Sequence, residues 1–201
     1  MDVKIFRTKA FDENCYLLYG KSEAIIVDPA DPSGGLLDFV GERRIVAIVN
    51  THGHADHIAG NSWFKQRTQA SVMIHEADEE YLNNPILNLS SLVGQQIVGP
   101  PADRLLQNGS ELTIDGEKIQ VIHTPGHTPG SICLSAEGIL LSGDTLFFQS
   151  IGRTDFPGGN ARQLQLSLKS LRRLAKETVV YPGHGRSTTI GEEILQNPYL
   201  R

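Results

Sequence analysis

Short apolar runs cut the chain into strand-sized pieces. Residues 3–6, 15–19 and 24–28 are apolar or alternating, punctuated by Tyr19-Gly20 and Asp28-Pro29, and read as strands between turns. Gly34-Gly35 opens a helical pattern through Leu36, Leu37 and Val40. Residues 45–50 are too uniformly apolar for a half-exposed strand, so an inner strand buried on both faces is predicted there. A helix over about 58–67 and a strand at 71–74 follow. Strand, helix, strand at this pace predicts a layered α/β domain.

The middle of the chain, 76–109, has weaker periodicity. Residues 76–82 predict one helix, stopped by Asn83-Asn84-Pro85, and Gly94, Gly99 and Pro100-Pro101 keep the remainder irregular. A long irregular segment in a small domain is either a functional lid or a surface excursion. Beyond it, 111–114 and 118–122 flank Asp115-Gly116, a dipeptide suited to a tight hairpin. A second pair of strands, 131–135 and 139–141, flanks Glu137-Gly138. Leu164, Leu168 and Leu171 form the apolar stripe of a helix over about 162–174, one face at i, i+4, i+7. A strand at 178–181, a Pro-Gly-His-Gly loop and a short helix closed by Asn197-Pro198 end the chain. Each half thus runs from β-rich sequence into a helix, which predicts two similar half-domains packed face to face with a site at their seam.

Composition narrows the class. The 201 residues fit a single domain spanning 1–201, and an apolar fraction of 39% is enough for a core. The net charge of -5 comes with no basic stretch, which argues against a nucleic-acid partner. Two cysteines, Cys15 and Cys133, make neither a disulfide framework nor a thiolate zinc site. The start Met1-Asp2-Val3-Lys4 lacks the regions of a signal peptide, and no apolar run spans a membrane. The expectation is a soluble, cytoplasmic protein.

Chemistry concentrates in Thr51-His52-Gly53-His54-Ala55-Asp56-His57-Ile58-Ala59-Gly60. His52 and His54 are two apart, so an extended segment projects both to one side. Asp56 and His57 fall where the chain is expected to turn, ahead of a helix beginning near Ile58. Imidazole nitrogen and carboxylate oxygen are ligands that Zn²⁺ accepts. Three further candidates sit beside glycine at strand ends: His127 after Gly126, Asp144 after Gly143 and His184 after Gly183. Loops held by a β scaffold are where site residues are expected. His52, His54 and His127 would form one pocket, Asp56, His57 and His184 a second, with Asp144 bridging both. His75, ending a strand ahead of an acidic helix start, is read as structural, and His123 as at most a support for the ligand loop.

These residues, in this order and with Asp28 after the early strand, resemble the metallo-β-lactamase superfamily, and the likeness covers nearly the whole chain. The implied fold is an α/β, four-layer αββα metallo-β-lactamase sandwich with metals at one edge of the sheets, where Asp28 stands behind the ligands. Within the superfamily, residues 124–131, 151–159 and 182–198 resemble the glyoxalase II (hydroxyacylglutathione hydrolase) group, particularly its short bacterial branch. The resemblance implies two divalent metal ions, Zn²⁺ first and Fe or Mn as alternatives. It implies hydrolysis of a small-molecule thioester such as S-lactoylglutathione by hydroxide held between the metals, with Asp56 orienting that nucleophile. Long members of the group carry a C-terminal helical domain for glutathione, and the expectation here is a short member without it. Arg153 lies where the family places a basic residue that meets a substrate carboxylate; the competing reading is an ion pair with Asp155. Persulfide dioxygenases resemble the chain too, and their single iron would fall on His52, His127 and Asp144. A superfamily nuclease is the third reading, disfavoured by the missing basic surface.

Overall fold

The apolar runs form two six-stranded sheets in a computed structural model that describes residues 1–8, 12–32 and 34–200. The first sheet holds β1 (Asp2–Arg7), β2 (Asn14–Tyr19), β3 (Glu23–Val27), β4 (Arg44–Val49), β5 (Ser71–His75) and β6 (Arg104–Leu106), side by side in that order. Pairing is antiparallel from β1 to β3 and parallel from β3 to β6. The second sheet contains β7 (Glu111–Ile114), β8 (Glu117–His123), β9 (Ile132–Ala136), β10 (Ile139–Gly143), β13 (Val179–Pro182) and β14 (Thr188–Thr189). Its order is β14-β13-β10-β9-β8-β7, antiparallel except where β10 meets β13. Between β10 and β13, β11 (Leu146–Phe147) and β12 (Ser150–Ile151) form a small antiparallel pair.

Three apolar layers hold the sandwich together. Tyr16, Leu18, Ile25, Val27, Ala47 and Val49 of the first sheet meet Leu112, Ile114, Val121, Leu134 and Leu141 of the second. On the outside of the first sheet, Leu17, Ile26, Ile48 and Val72 pack under α1 (Gly34–Val40), α2 (Ala55–Ile58) and α3 (Asn61–Thr68) through Leu36, Ile58 and Phe64. On the outside of the second, Cys133, Leu140 and Val180 pack under α4 (Ala161–Leu171) and α5 (Ile190–Gln196) through Leu164, Leu168, Leu171 and Ile190. The order is helix, sheet, sheet, helix, as the sequence reading expects. The run in β4 serves two layers, with Ala47 and Val49 inward and Ile45 and Ile48 toward the helices. Ile45 and Ile48 share a layer although three apart because the register against β3 shifts between Ala24 and Ile25.

The expected helix over 58–67 is in fact two. It starts at Ala55, so Asp56 and His57 ride on α2 instead of lying in a turn. It breaks at Gly60, whose N–H reaches Pro29 O at 2.6 Å and where any Cβ would collide with that carbonyl. The expected helix at 76–82 is a 3-10 helix, Glu76–Leu82. The segment beyond it contains a second 3-10 turn, Ser90–Val93, and then β6. Asn88 fastens this segment: its amide donates to Tyr81 O and Ile97 O, and its own carbonyl accepts from Ala55 N. No helix is long and apolar enough to cross a membrane among the described residues.

Candidate metal centre

Strand ends deliver the predicted residues to one edge of the sandwich. His52 and His54 follow β4, Asp56 and His57 sit on α2, His127 lies between β8 and β9, Asp144 follows β10 and His184 follows β13. His54 Nδ1 lies 3.0 Å from His52 Nε2 and 2.9 Å from His127 Nε2, so three ring nitrogens converge on one point. His184 Nε2 stands 3.3 Å, and His57 Nε2 3.8 Å, from Asp56 Oδ2. Asp144 joins the groups: Oδ1 is 3.5 Å from His57 Nε2, while Oδ2 is 3.6 Å from His127 Nε2 and 3.8 Å from His184 Nε2. All seven predicted ligand residues therefore meet. Gly183 lets this happen, since a Cβ there would collide with Asp144 Oδ1 and with His57 Cε1.

The far side of every ligand ring but that of His54 is held as well. His52 Nδ1 faces Thr51 Oγ1 at 3.3 Å, His127 Nδ1 faces Arg153 O at 2.8 Å, and His184 Nδ1 faces Asp12 O at 3.2 Å. Asp28, predicted to stand behind the ligands, accepts from Thr51 N at 2.7 Å and Thr51 Oγ1 at 2.6 Å, and lies 3.0 Å from His57 Nδ1. Such partners fix ring orientation and tautomer, leaving the opposite nitrogen free for a ligand.

Electrostatics divide the two trios, favouring neutral imidazoles in the first and the protonated form in the second, where carboxylates crowd the rings. Burial, reinforced by the neighbouring imidazoles, pushes His52 far below the usual histidine range and His54 down to about 3, so both carry lone pairs at neutral pH. Burial alone would raise Asp56, but His57 and His184 outweigh it and hold this carboxyl below the usual range. For His57 burial again opposes the result: the carboxylates of Asp56, Asp28 and Asp144 raise it well above the ordinary value. His184 is raised by Asp56 and Asp144 against its own burial.

The donor set fits a pair of divalent cations. Imidazole nitrogens crowded within 3.0 Å satisfy one another poorly as hydrogen-bonding partners, and the buried His57 Nε2 and Asp144 Oδ1 have none among the described residues. Trios His52/His54/His127 and Asp56/His57/His184 each bring their donor atoms within 4.8 Å of one another, as does His52/His57/Asp144. Mixed imidazole and carboxylate sites of this kind suit Zn, Fe or Mn.

Over the trios lies a cavity of about 340 Å³, walled by Leu89, Phe147 and Phe156 with Arg153 at its side. Arg153 Nε and Nη2 each reach the Asp155 carboxylate at 2.6 Å, and the guanidinium stacks 3.8 Å over Phe156. The ion pair weighed from sequence is thus formed, while Arg153 still lines the cavity. His123 supports the ligand loop through Pro129 O (2.9 Å) and stacks on His75 with ring centroids 4.0 Å apart. Sequence reasoning missed Leu89, Phe147, Asp78 and Glu13. Glu13 is fully buried 3.9 Å from His57 Nδ1, and burial pushes its carboxyl pKa well up. Its only sequence signal is an acid bordering an apolar strand.

A family model described as the metallo-beta-lactamase superfamily matches residues 8–184. Among relatives, the uncharacterized Mycobacterium leprae protein ML0493 is 37% identical over 93% of both chains. The probable metallo-hydrolase YqgX of Bacillus subtilis is 33% identical over 93% of this chain and 92% of its own. The hydroxyacylglutathione hydrolase GloC of Haemophilus influenzae is 31% identical over 100% and 98%. Among solved structures, BLEG-1, a B3 metallo-beta-lactamase, superposes with a TM-score of 0.94 at 39% identity over 99% of each chain. A di-iron-bound form of TTHA1623 gives 0.88 at 33% over 98% and 100%. ETHE1 from Myxococcus xanthus gives 0.81 at 30% over 98% and 84%.

Proposed function

The chain belongs to the metallo-β-lactamase superfamily of metallo-hydrolases, and from that premise we propose that it hydrolyses a small acyl thioester of the S-lactoylglutathione kind. One observation carries the reading: His54 and His127 of one donor trio and Asp56 and His184 of the other, with Asp144 between them, form the floor of a cavity whose remaining walls are Leu89, Phe147, Phe156 and Arg153. Two divalent cations held there would lower the pKa of a shared water toward about 7 and polarise an acyl carbonyl.

The chain's own residues do the rest. Asp56, ionised at neutral pH and facing the cavity, orients the attacking water through the oxygen that also lies 3.3 Å from His184. Leu89, Phe147 and Phe156 give the acyl group a dry wall. Arg153 uses Nε and Nη2 on Asp155, which leaves Nη1 for a substrate carboxylate at the cavity side. The cavity's histidines and aspartates all belong to the trios or to Asp144, and its other titratable residue, Arg153, does not give up a proton. A thiol, with a solution pKa near ~8.5, leaves as thiolate without a general acid; an amine does not. This favours a thioester over an amide, and the likeness to GloC points the same way.

A second reading rests on the likeness to ETHE1 and on the adjacency of His127 and Asp144: a persulfide dioxygenase with one iron on His52, His127 and Asp144. A substrate panel separates the readings. Purified protein is offered S-lactoylglutathione, glutathione persulfide with an oxygen electrode, and a chromogenic β-lactam. The expected result is thioester turnover at least 100-fold above the other two. Oxygen uptake on the persulfide, or a β-lactam rate exceeding the thioester rate, overturns the proposal.

A further inference from the structure

The 3-10 helix Glu76–Leu82 supplies no member of either trio, yet its buried side chains touch the loops that feed the three-imidazole pocket. Asp78 is fully buried. Its Oδ2 accepts from Gly53 N at 3.0 Å, between His52 and His54, and from Thr128 Oγ1 at 2.7 Å, next to His127. Its Oδ1 accepts from Gly130 N at 2.6 Å. Tyr81, one turn on, packs so closely on Gly53 that a Cβ there would collide with its own Cβ, and its hydroxyl donates to Pro157 O at 3.1 Å.

The two loops that Asp78 grips come from different sheets. Residues 52–54 leave β4 in the first, and 127–130 connect β8 to β9 in the second. A backbone hydrogen bond from Ile132 N to Thr51 O, 2.8 Å, ties the bases of these segments. Beside the imidazoles themselves, the tie is the Asp78 carboxylate. Three donors converging on two oxygens require an acceptor-only group, and charge-assisted bonds of this length are about twice as strong as neutral ones. The loop closes tightly on this carboxylate, since a Cβ at Gly130 would run into Asp78 Oδ1 at 2.6 Å.

We propose that Asp78 is a positioning residue for the three-imidazole site: its carboxylate sets the spacing between His52/His54 and His127, and so the strength with which that site holds a cation. This rests on the donor trios and not on the thioester reading, and it gives the 76–82 segment a role. The test is metal binding by purified metal-free protein, titrated with Co²⁺ and followed by its visible absorption, and with Zn²⁺ against a chromophoric chelator. His54→Ala and His184→Ala identify which binding step belongs to which trio. Asp78→Asn keeps the shape but turns an amide NH₂ toward one of the three donors.

The expected result is a fall of about 10- to 100-fold in affinity of the His54-dependent step, with altered Co²⁺ absorption and a His184-dependent step within threefold of the parent. Two steps at parental affinity, or both weakened equally, overturn the assignment. Should Asp78→Asn not fold, Thr128→Val decides, with Ser131→Ala as its control: Thr128→Val removes the Oγ1 donor to Asp78 together with the contact to Ser131 Oγ, so a several-fold selective loss at the same step beyond that of Ser131→Ala supports the proposal, while no such loss refutes it.

Discussion

Each ligand histidine but one is gripped from behind by a group that is not itself a metal donor: Thr51 for His52, Asp28 for His57, the Arg153 carbonyl for His127 and the Asp12 carbonyl for His184. Orientation is therefore set by the fold before any ion arrives. Leu89 shows what such a site costs. It has φ of 68° and walls the cavity, a conformation that a bulky residue adopts at roughly 1–3 kcal/mol. Leu89→Gly removes the strain and the wall together. Urea denaturation of the metal-free variant is expected to show about 1 kcal/mol of added stability, with KM for the thioester raised; a loss of stability would mean that Leu89 is held by packing and not against its backbone preference. His75 gives a pH prediction. Burial and then the stacked His123 lower it to about 4, from 6.5, with Glu76 opposing. A depressed histidine contributes stability that is present above pH 6.5 and lost as pH falls toward 4, because the unfolded chain binds the proton first. His75→Asn keeps an acceptor for Ala77 N–H but does not titrate. With a chelator present, the parent should lose stability relative to this variant between pH 6.5 and 4 and run parallel to it above 6.5; parallel curves throughout contradict the assignment. The seven candidate ligands are legible because four of them, His52, His54, Asp56 and His57, crowd into six positions directly after an apolar strand, and His127, Asp144 and His184 each follow a glycine near a strand end. Asp78, Glu13 and Leu89 are not. Their signals are burial and a dihedral angle, and for Asp78 these depend on partners 25 to 52 positions away.

At the scale of elements, long periodic segments were readable and short ones were not. The stripe Leu164, Leu168 and Leu171 does face the second sheet, and Asn160, accepting from Gln163 N at 3.0 Å, starts α4 where the pattern begins. Leu168→Ala is expected to cost about 2–5 kcal/mol in urea melts, against less than about 0.5 for Leu166→Ala on the exposed face. Similar losses at both would mean that α4 does not dock on this stripe. The sequence predicts one helix over 58–67 because Gly60 reads as tolerable within a helix; only its contact with the Pro29 carbonyl shows why the chain must break there. That break is consequential, since a separate α2 brings Asp56 to the cavity and His57 beneath it beside Asp144. Three-residue β6 and two-residue β11 and β12 carry no periodicity to read, and their pairing comes entirely from neighbouring strands.

Across the whole molecule, the two sheets bring the carboxyl ends of β3, β4, β10 and β13 to one edge, and the site is built where the two halves meet. The first half supplies Asp28, His52, His54, Asp56 and His57; the second supplies His127, Asp144 and His184. Neither half holds either trio alone, which is why the histidine cluster after β4 identifies the family without fixing the substrate. On the proposed function, both trios, coupled through Asp144, are needed for thioester hydrolysis. The most direct test is to strip the protein with a chelator, restore Zn²⁺ in measured equivalents, and record S-lactoylglutathione hydrolysis against metal bound, for the parent and for Asp144→Ala. The expected result is almost no rate without metal, a plateau at two ions per chain, and for Asp144→Ala at least about a 100-fold loss with fewer ions retained. Full thioester activity in Asp144→Ala with two ions bound, or a single tightly held iron with no thioester turnover in the parent, would contradict it.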